Sequence, residues 1–213
     1  RTSSPIIPRR YGLRWMNLPG LDKPIQNLNV LNAGGYVQDE WRLRANLTVT
    51  AGVRLDVTAF DQSTTYPNPN ADVLTFRDEA GQGVQYKSGR LPDAKKLWSP
   101  RVGFNWDVAS DQKTQVRGGI GIFTGAPLYV WVSNQLGNTG VLQGSVTDDF
   151  PTNRPFNPDV TRYKPTNVTG APAASYELNV TTNDFKFPQV LRNNIAVDRR
   201  LPWGLTGTAE FIY

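Results

Sequence analysis

Seven charged residues stand where this chain could do chemistry: Arg54, Asp56, Arg101, Asp107, Arg117, Arg192 and Asp198. Each lies on the polar parity of a run in which apolar side chains fill every second position. Guanidinium and carboxylate groups set along one surface can bind polar solutes, or simply pair with one another on a solvated wall. Catalytic chemistry has fewer openings. The chain has no His and no Cys, which removes Ser-His-Asp and Cys-His nucleophilic catalysis, thiolate metal sites and disulfides. No carboxylate pair can be placed in one pocket, so no catalytic residue, metal site or cofactor is expected. Gly118-Gly119-Ile120-Gly121 looks like a phosphate loop, but it lacks the Gly-Lys-Ser/Thr ending and Ala126-Pro127 interrupts any following helix. Glycines at a bend or close approach within a strand fit it better. Asp148-Asp149 lacks the regular oxygen-ligand spacing of a calcium loop and reads as loop surface. The net charge of +5 and pI near 9.6 are spread over separate strands with no dense basic run, so nucleic acid is not an expected partner.

The elements that must carry these residues are strands. From Leu47 to Phe60, Leu47, Val49, Ala51, Val53, Leu55, Val57 and Ala59 alternate without a break against Thr48, Thr50, Gly52, Arg54, Asp56 and Thr58. Period two over that length means a strand with one aliphatic face and one polar face. It exceeds the roughly 9 to 11 residues of a membrane-spanning strand. A first hairpin is expected over 34–60, turning at Arg44-Ala45-Asn46. A second over 98–125 sets Val102, Phe104, Trp106 and Val108 against Arg101, Gly103, Asn105 and Asp107, and turns at Ser110 to Lys113. A third over 188–213 sets Leu191, Ile195 and Val197 against Arg192, Asn194, Ala196 and Asp198, and turns at Leu201-Pro202-Trp203-Gly204. Residues 1–33 read as loop, as do 61–97 and 126–187, with a short ordered segment at Leu128 to Gln135. These connections far exceed the ~12–15 residues usual for structureless loops, which marks functional ones.

Short turns and long connections thus alternate, and in an up-and-down sheet that puts every short turn at one end and every long loop at the other. Outer-membrane barrels have this asymmetry, with short periplasmic turns and long extracellular loops. Trp41, Trp106 and Trp203 all lie near short turns, where a membrane-interface girdle belongs. The expected fold is all-β: an antiparallel, up-and-down transmembrane β-barrel segment of three hairpins. The chain reads as a piece of a longer protein, since six strands are fewer than the eight of the smallest membrane barrels. A soluble β-sandwich binding or adhesin module is the alternative, and it would bury the aliphatic faces of Val49, Val53, Val57, Val102 and Phe104 against a second sheet.

The segments Tyr36-Val37-Gln38-Asp39-Glu40-Trp41 and Asn46 to Asp56 resemble the barrel of TonB-dependent outer-membrane receptors. So do Ser99-Pro100-Arg101-Val102-Gly103-Phe104, Val116 to Phe123, and Leu201-Pro202-Trp203-Gly204. The likeness is to large receptors with a carboxypeptidase-regulatory-like N-terminal domain. It implies a 22-stranded barrel in the outer membrane of a Gram-negative bacterium. It also implies an internal plug domain and TonB-coupled import of a small-molecule, glycan or peptide substrate. The expected partners are outer-membrane lipid, the protein's own plug, the TonB complex acting through other parts of the protein, and that substrate. The seven charged residues then become candidates to line the substrate path or touch the plug. One residue sits badly in this scheme: Asp39 shares a face with Val37, Trp41 and Leu43, and a carboxylate facing lipid is costly. A β-bulge near Gln38 or an inward-facing neighbour would relieve it.

Overall fold

The computed structural model describes residues 6–23 and 25–213. The loop expected over 1–33 extends onto residues 1–5 and 24, which lie outside the described ones. Ten strands run in chain order: β1 Arg10–Met16, β2 Val30–Arg44, β3 Leu47–Phe60, β4 Phe76–Arg77, β5 Gly83–Val84, β6 Lys95–Asp107, β7 Thr114–Thr124, β8 Gln143–Asp149, β9 Gln189–Arg200 and β10 Thr206–Ile212. Two helices, α1 Pro69–Asp72 and α2 Tyr129–Gly137, lie in the long connections. The chain divides into two compact units. One comprises 1–30, 60–93 and 128–185, and the other 31–59, 94–127 and 186–213.

The second unit carries a six-stranded sheet in the order β10-β9-β7-β6-β3-β2. Consecutive members of the three hairpins are neighbours, and the β3–β6, β6–β7, β7–β9 and β9–β10 pairs are antiparallel. Side-chain parity runs straight across it. Leu47, Trp106, Val116, Val197 and Ala209 form one cross-strand row, and Val49, Phe104, Gly118, Ile195 and Phe211 form the next. This face stays exposed: Val102, Ile120 and Ile195 each keep about half of their surface open. The β-sandwich alternative required a second sheet over it, and the unit contains none. The fold is all-β, built on this six-stranded sheet.

The short turns are tight and cross-linked. The β2–β3 turn is Ala45-Asn46, and Asn46 donates its amide to the Asp107 carbonyl at 2.7 Å while the Asp107 N–H returns to the Asn46 carbonyl at 2.9 Å. In the β6–β7 turn Ser110 and Gln112 take left-handed φ of 56° and 57°, held by Gln112 N–H donation to Asp107 Oδ2 at 2.9 Å. The β9–β10 turn places Trp203 at φ 64° before Gly204 at φ 75°, a conformation that costs a bulky residue about 1 kcal/mol or more.

Two strands are longer than the sequence implies, each for a visible reason. β2 starts at Val30 and runs through Gly34-Gly35 instead of beginning there. A Cβ on Gly34 would lie 2.7 Å from Asp56 Oδ1 and 2.8 Å from Arg54 Nη2, so the missing side chain lets a neighbouring ion pair lie over the strand. β6 starts at Lys95 and contains Pro100, yet its pairing with β7 begins only at Arg101 opposite Gly121, so the proline removes no ladder bond on that side. β2 is continuous through Asp39, and the aspartate accepts the N–H of Glu40 at 2.8 Å. Gln38 lies against Gly52 on the polar face, so its neighbour Asp39 stays on the other side.

The other unit differs most from expectation. Residues 10–16 are not loop: β1 pairs along its whole length with β8, from Arg10 opposite Asp149 to Met16 opposite Gln143. Trp15 faces Gly144, whose lack of a side chain makes room for the indole. β4 and β5 form a minimal hairpin. The segment expected at Leu128 to Gln135 is α2. Leu91, Val132, Leu136 and Leu142 are buried almost completely, with Asn68, Ser88, Gln135 and Thr139 beside them. The long connections therefore share a core.

Candidate functional site

The polar face of the six-stranded sheet gathers most of the charged residues. On β3, Arg54 grips Asp56 through Nε at 2.8 Å and Nη2 at 2.7 Å. Residues two apart on a strand share a face, so this pair follows from sequence spacing alone. Across β7, β9 and β10, Arg117 donates to Asp198 at 3.0 Å and lies 3.8 Å from Glu210. Thr208 donates its hydroxyl to Asp198 at 2.7 Å, and Asn194 donates to Glu210 at 2.9 Å. Half-exposed pairs of this kind contribute about 0–1 kcal/mol each, so they set the polarity of the wall more than its stability.

Three candidates stand apart from those pairs. Asp107 ends β6 and serves the turn, accepting the Gln112 N–H. Arg101 and Arg192 flank Gly121 in one cross-strand row, Gly52-Arg101-Gly121-Arg192. Among the described residues neither has an ion-pair partner. Glu210 was missed, although it lies on the polar parity of its strand.

Of the aromatics expected at a membrane interface, Trp106 lies on the apolar parity of β6, Trp41 lies in β2 and Trp203 in the β9–β10 turn. Trp41 and Trp106 are partly exposed and Trp203 is almost fully so. Trp98, overlooked in the sequence, has the parity of Val102 and lies toward the loop end of β6. From Trp98 to Trp106 the strand covers about 26 Å at ~3.3 Å per residue, close to the ~25 Å height of a barrel's apolar band. Trp98 thus sets an exposed aromatic on the apolar face at the loop end of β6, where Phe60 and Phe123 fall on the other parity.

The long connections are ordered by buried polar contacts. Asn68 caps α1 through Oδ1, accepting the N–H groups of Asn70 and Ala71, and its amide donates to the Thr139 carbonyl at 2.6 Å. Gln135 donates to the Arg90 carbonyl at 2.8 Å and accepts the Thr181 hydroxyl at 2.6 Å. Asn17 donates to the Ala171 carbonyl at 2.6 Å. Three separate stretches of chain are tied together this way. Nothing in the periodicity reports it, because side-chain to backbone contacts leave no repeat.

Just beyond β3, the Ser63 backbone N–H, helped by the amide of Asn29, holds the Asp61 carboxyl below its usual pKa. A depressed carboxylate stabilises at pH above its unfolded value, and that contribution is lost as pH falls through the folded value. The tie between Asn29 and Asp61 should therefore hold at neutral pH and weaken below about pH 4. Hydrogen exchange at the Ser63 amide checks it: protection that is the same at pH 7 and pH 3 would remove the carboxylate from the account.

Among the described residues, no helix is long and apolar enough to cross a membrane, which says nothing of crossing by strands. A family model described as outer membrane beta barrel domain matches residues 20–212. No curated protein and no solved structure matches the chain.

Proposed function

We infer the role of this chain from the family to which it belongs, that of the outer membrane beta barrel domain. It is a protein of the bacterial outer membrane. Within that membrane it takes part in TonB-coupled import of a nutrient. The long connections capture the substrate on the outer surface and the polar face of the sheet lines its path. A plug domain and the TonB complex act through other parts of the protein, and no catalytic step belongs to this segment. The observation that carries this reading is the alternation of tight turns with long connections that fold around a common core. A barrel that only anchored would have no use for so much ordered chain at one end, whereas a receptor needs a preorganised surface there. The resemblance of Tyr36 to Trp41 and Asn46 to Asp56 to TonB-dependent receptors supports the finer assignment.

Uptake by a deletion strain tests it. Loss of accumulation of one nutrient, restored by the full-length gene and abolished again when TonB is deleted, is the expected result. Uptake indifferent to TonB would leave a passive barrel. Topology has its own check: protease added to intact cells should cut within 61–93 or 126–185 and spare Ala45-Asn46 and Ser110 to Lys113. Cleavage confined to the short turns would invert the orientation.

A further inference from the structure

The polar face of the sheet has a bare patch. Two adjacent cross-strand rows read Gly52-Arg101-Gly121-Arg192 and Thr50-Gly103-Gly119-Asn194, so four of eight positions carry no side chain. The patch opens into a basin of about 220 Å³, floored by Gly103, Gly119 and Gly121 and bordered by Gln38, Arg101, Phe123 and Arg192. The floor is close-fitted: a Cβ on Gly121 would lie 2.9 Å from Arg101 Cβ and 3.1 Å from the Phe123 ring, and one on Gly119 would lie 3.0 Å from the Val102 carbonyl. The Phe123 ring and the Arg101 stem thus lie over Gly121, which is buried, and the open part of the floor is the backbone of Gly103 and Gly119.

The charge at this patch is not balanced within the sheet. Arg54 and Arg117, on the same face, are each held by a carboxylate. Arg101 and Arg192 lie two strands apart across Gly121, at roughly 10 Å between backbones. Among the described residues no carboxylate pairs with either. The Arg101 Nε–H is moreover buried without an acceptor, and an orphaned buried donor needs an explanation, such as an absent ligand. The neutral groups around it, the amides of Gln38 and Asn194 and the hydroxyl of Thr50, add no negative charge.

We propose that this basin binds the carboxylate or phosphate of a small solute between Arg101 and Arg192, with the solute's flat apolar body resting on the glycine floor against Phe123. Two arginines set on either side of Gly121 in one row suit an oxyanion with several lone pairs. A floor without side chains admits a planar body that any larger residue would exclude. The site requires that the polar face line a lumen and does not depend on TonB coupling, so equilibrium binding tests it separately from uptake.

The experiment is a fluorine NMR titration of the purified full-length protein in detergent micelles. The probes are 4-fluorobenzoate, fluoroacetate as the anion without a ring, and 4-fluorobenzylamine as the ring with the opposite charge. Heat-modifiable gel mobility verifies that each variant is folded. Fluorobenzoate should bind well above fluoroacetate, and fluorobenzylamine should not bind. R101Q and R192Q should each weaken fluorobenzoate about tenfold, the effect of one charged hydrogen bond, and K113Q, in the exposed β6–β7 turn, should leave it unchanged. If an arginine variant does not fold, G103A carries the test, since its Cβ would meet only the Gly118 carbonyl, at 3.4 Å, and so keeps both arginines in place; it should weaken fluorobenzoate while leaving fluoroacetate alone. Equal weakening by K113Q, equal binding of the two anions, or unchanged binding in R101Q, R192Q and G103A would each overturn the site.

Discussion

Replacing Val102 with arginine is expected to destabilise the folded protein in a lipid bilayer by about 2–4 kcal/mol. Val102 lies midway between Trp98 and Trp106 on β6, and half of its surface is open on the apolar face. Its cross-strand neighbours there are Ala51 and Ile120. A guanidinium at this depth must shed water, and neither Ala51 nor Ile120 offers it a carboxylate. The same change at Thr48 on β3 puts the charge on the opposite face, opposite Asn105, and should cost no more than about 0.5 kcal/mol. Urea unfolding of the full-length protein in lipid vesicles measures both. A lowered midpoint for T48R with V102R unaffected would mean the two faces are assigned the wrong way round.

The second large effect belongs to the folded loops. Leu136 on α2 is 1% exposed and Leu91, which comes from another connection, is 0% exposed. Truncating Leu136 to alanine should cost about 2–5 kcal/mol of the local stability of this unit. Gln135 to alanine should cost about 1–3 kcal/mol, because the Arg90 carbonyl and the Thr181 hydroxyl lose their buried partner. Both variants should raise hydrogen exchange and protease cutting across 60–93 and 128–185 while leaving the β6–β7 hairpin protected. Faster exchange in the sheet with unchanged loops would show that the connections have no core of their own.

How much of this was legible in the sequence depended on whether the information was periodic. β3 was found to the residue, since its aliphatic parity never breaks. The turns at Asn46 and Gly204 were marked by residue type. The Arg54–Asp56 pair was implied by spacing, and the Arg117–Asp198 pair was placed on one face although its register was not. What stayed hidden depended on distant neighbours. β1 alternates only weakly and becomes a strand because β8 completes it. Gly34 looked like a boundary until Arg54 and Asp56 were seen lying over it. The basin at Gly121 required knowing that Arg101 and Arg192 share a row, which is a matter of register across three strands.

The pairing of β1 with β8 has a consequence for the order of assembly. Each hairpin of the sheet closes a turn of a few residues, so its loss of chain entropy is small and it can form early. The loop unit must instead bring together groups such as Asn17 and Gly140, separated by 123 positions along the chain, with the hairpins lying between them. Closing so large a circuit is slow while those hairpins are unformed and much shorter once they are. The loop unit is therefore the last part of the segment to acquire its shape. A chain halted during insertion would present finished strands joined by unstructured connections, and such an intermediate would be cut by proteases at sites that the finished loop core shields.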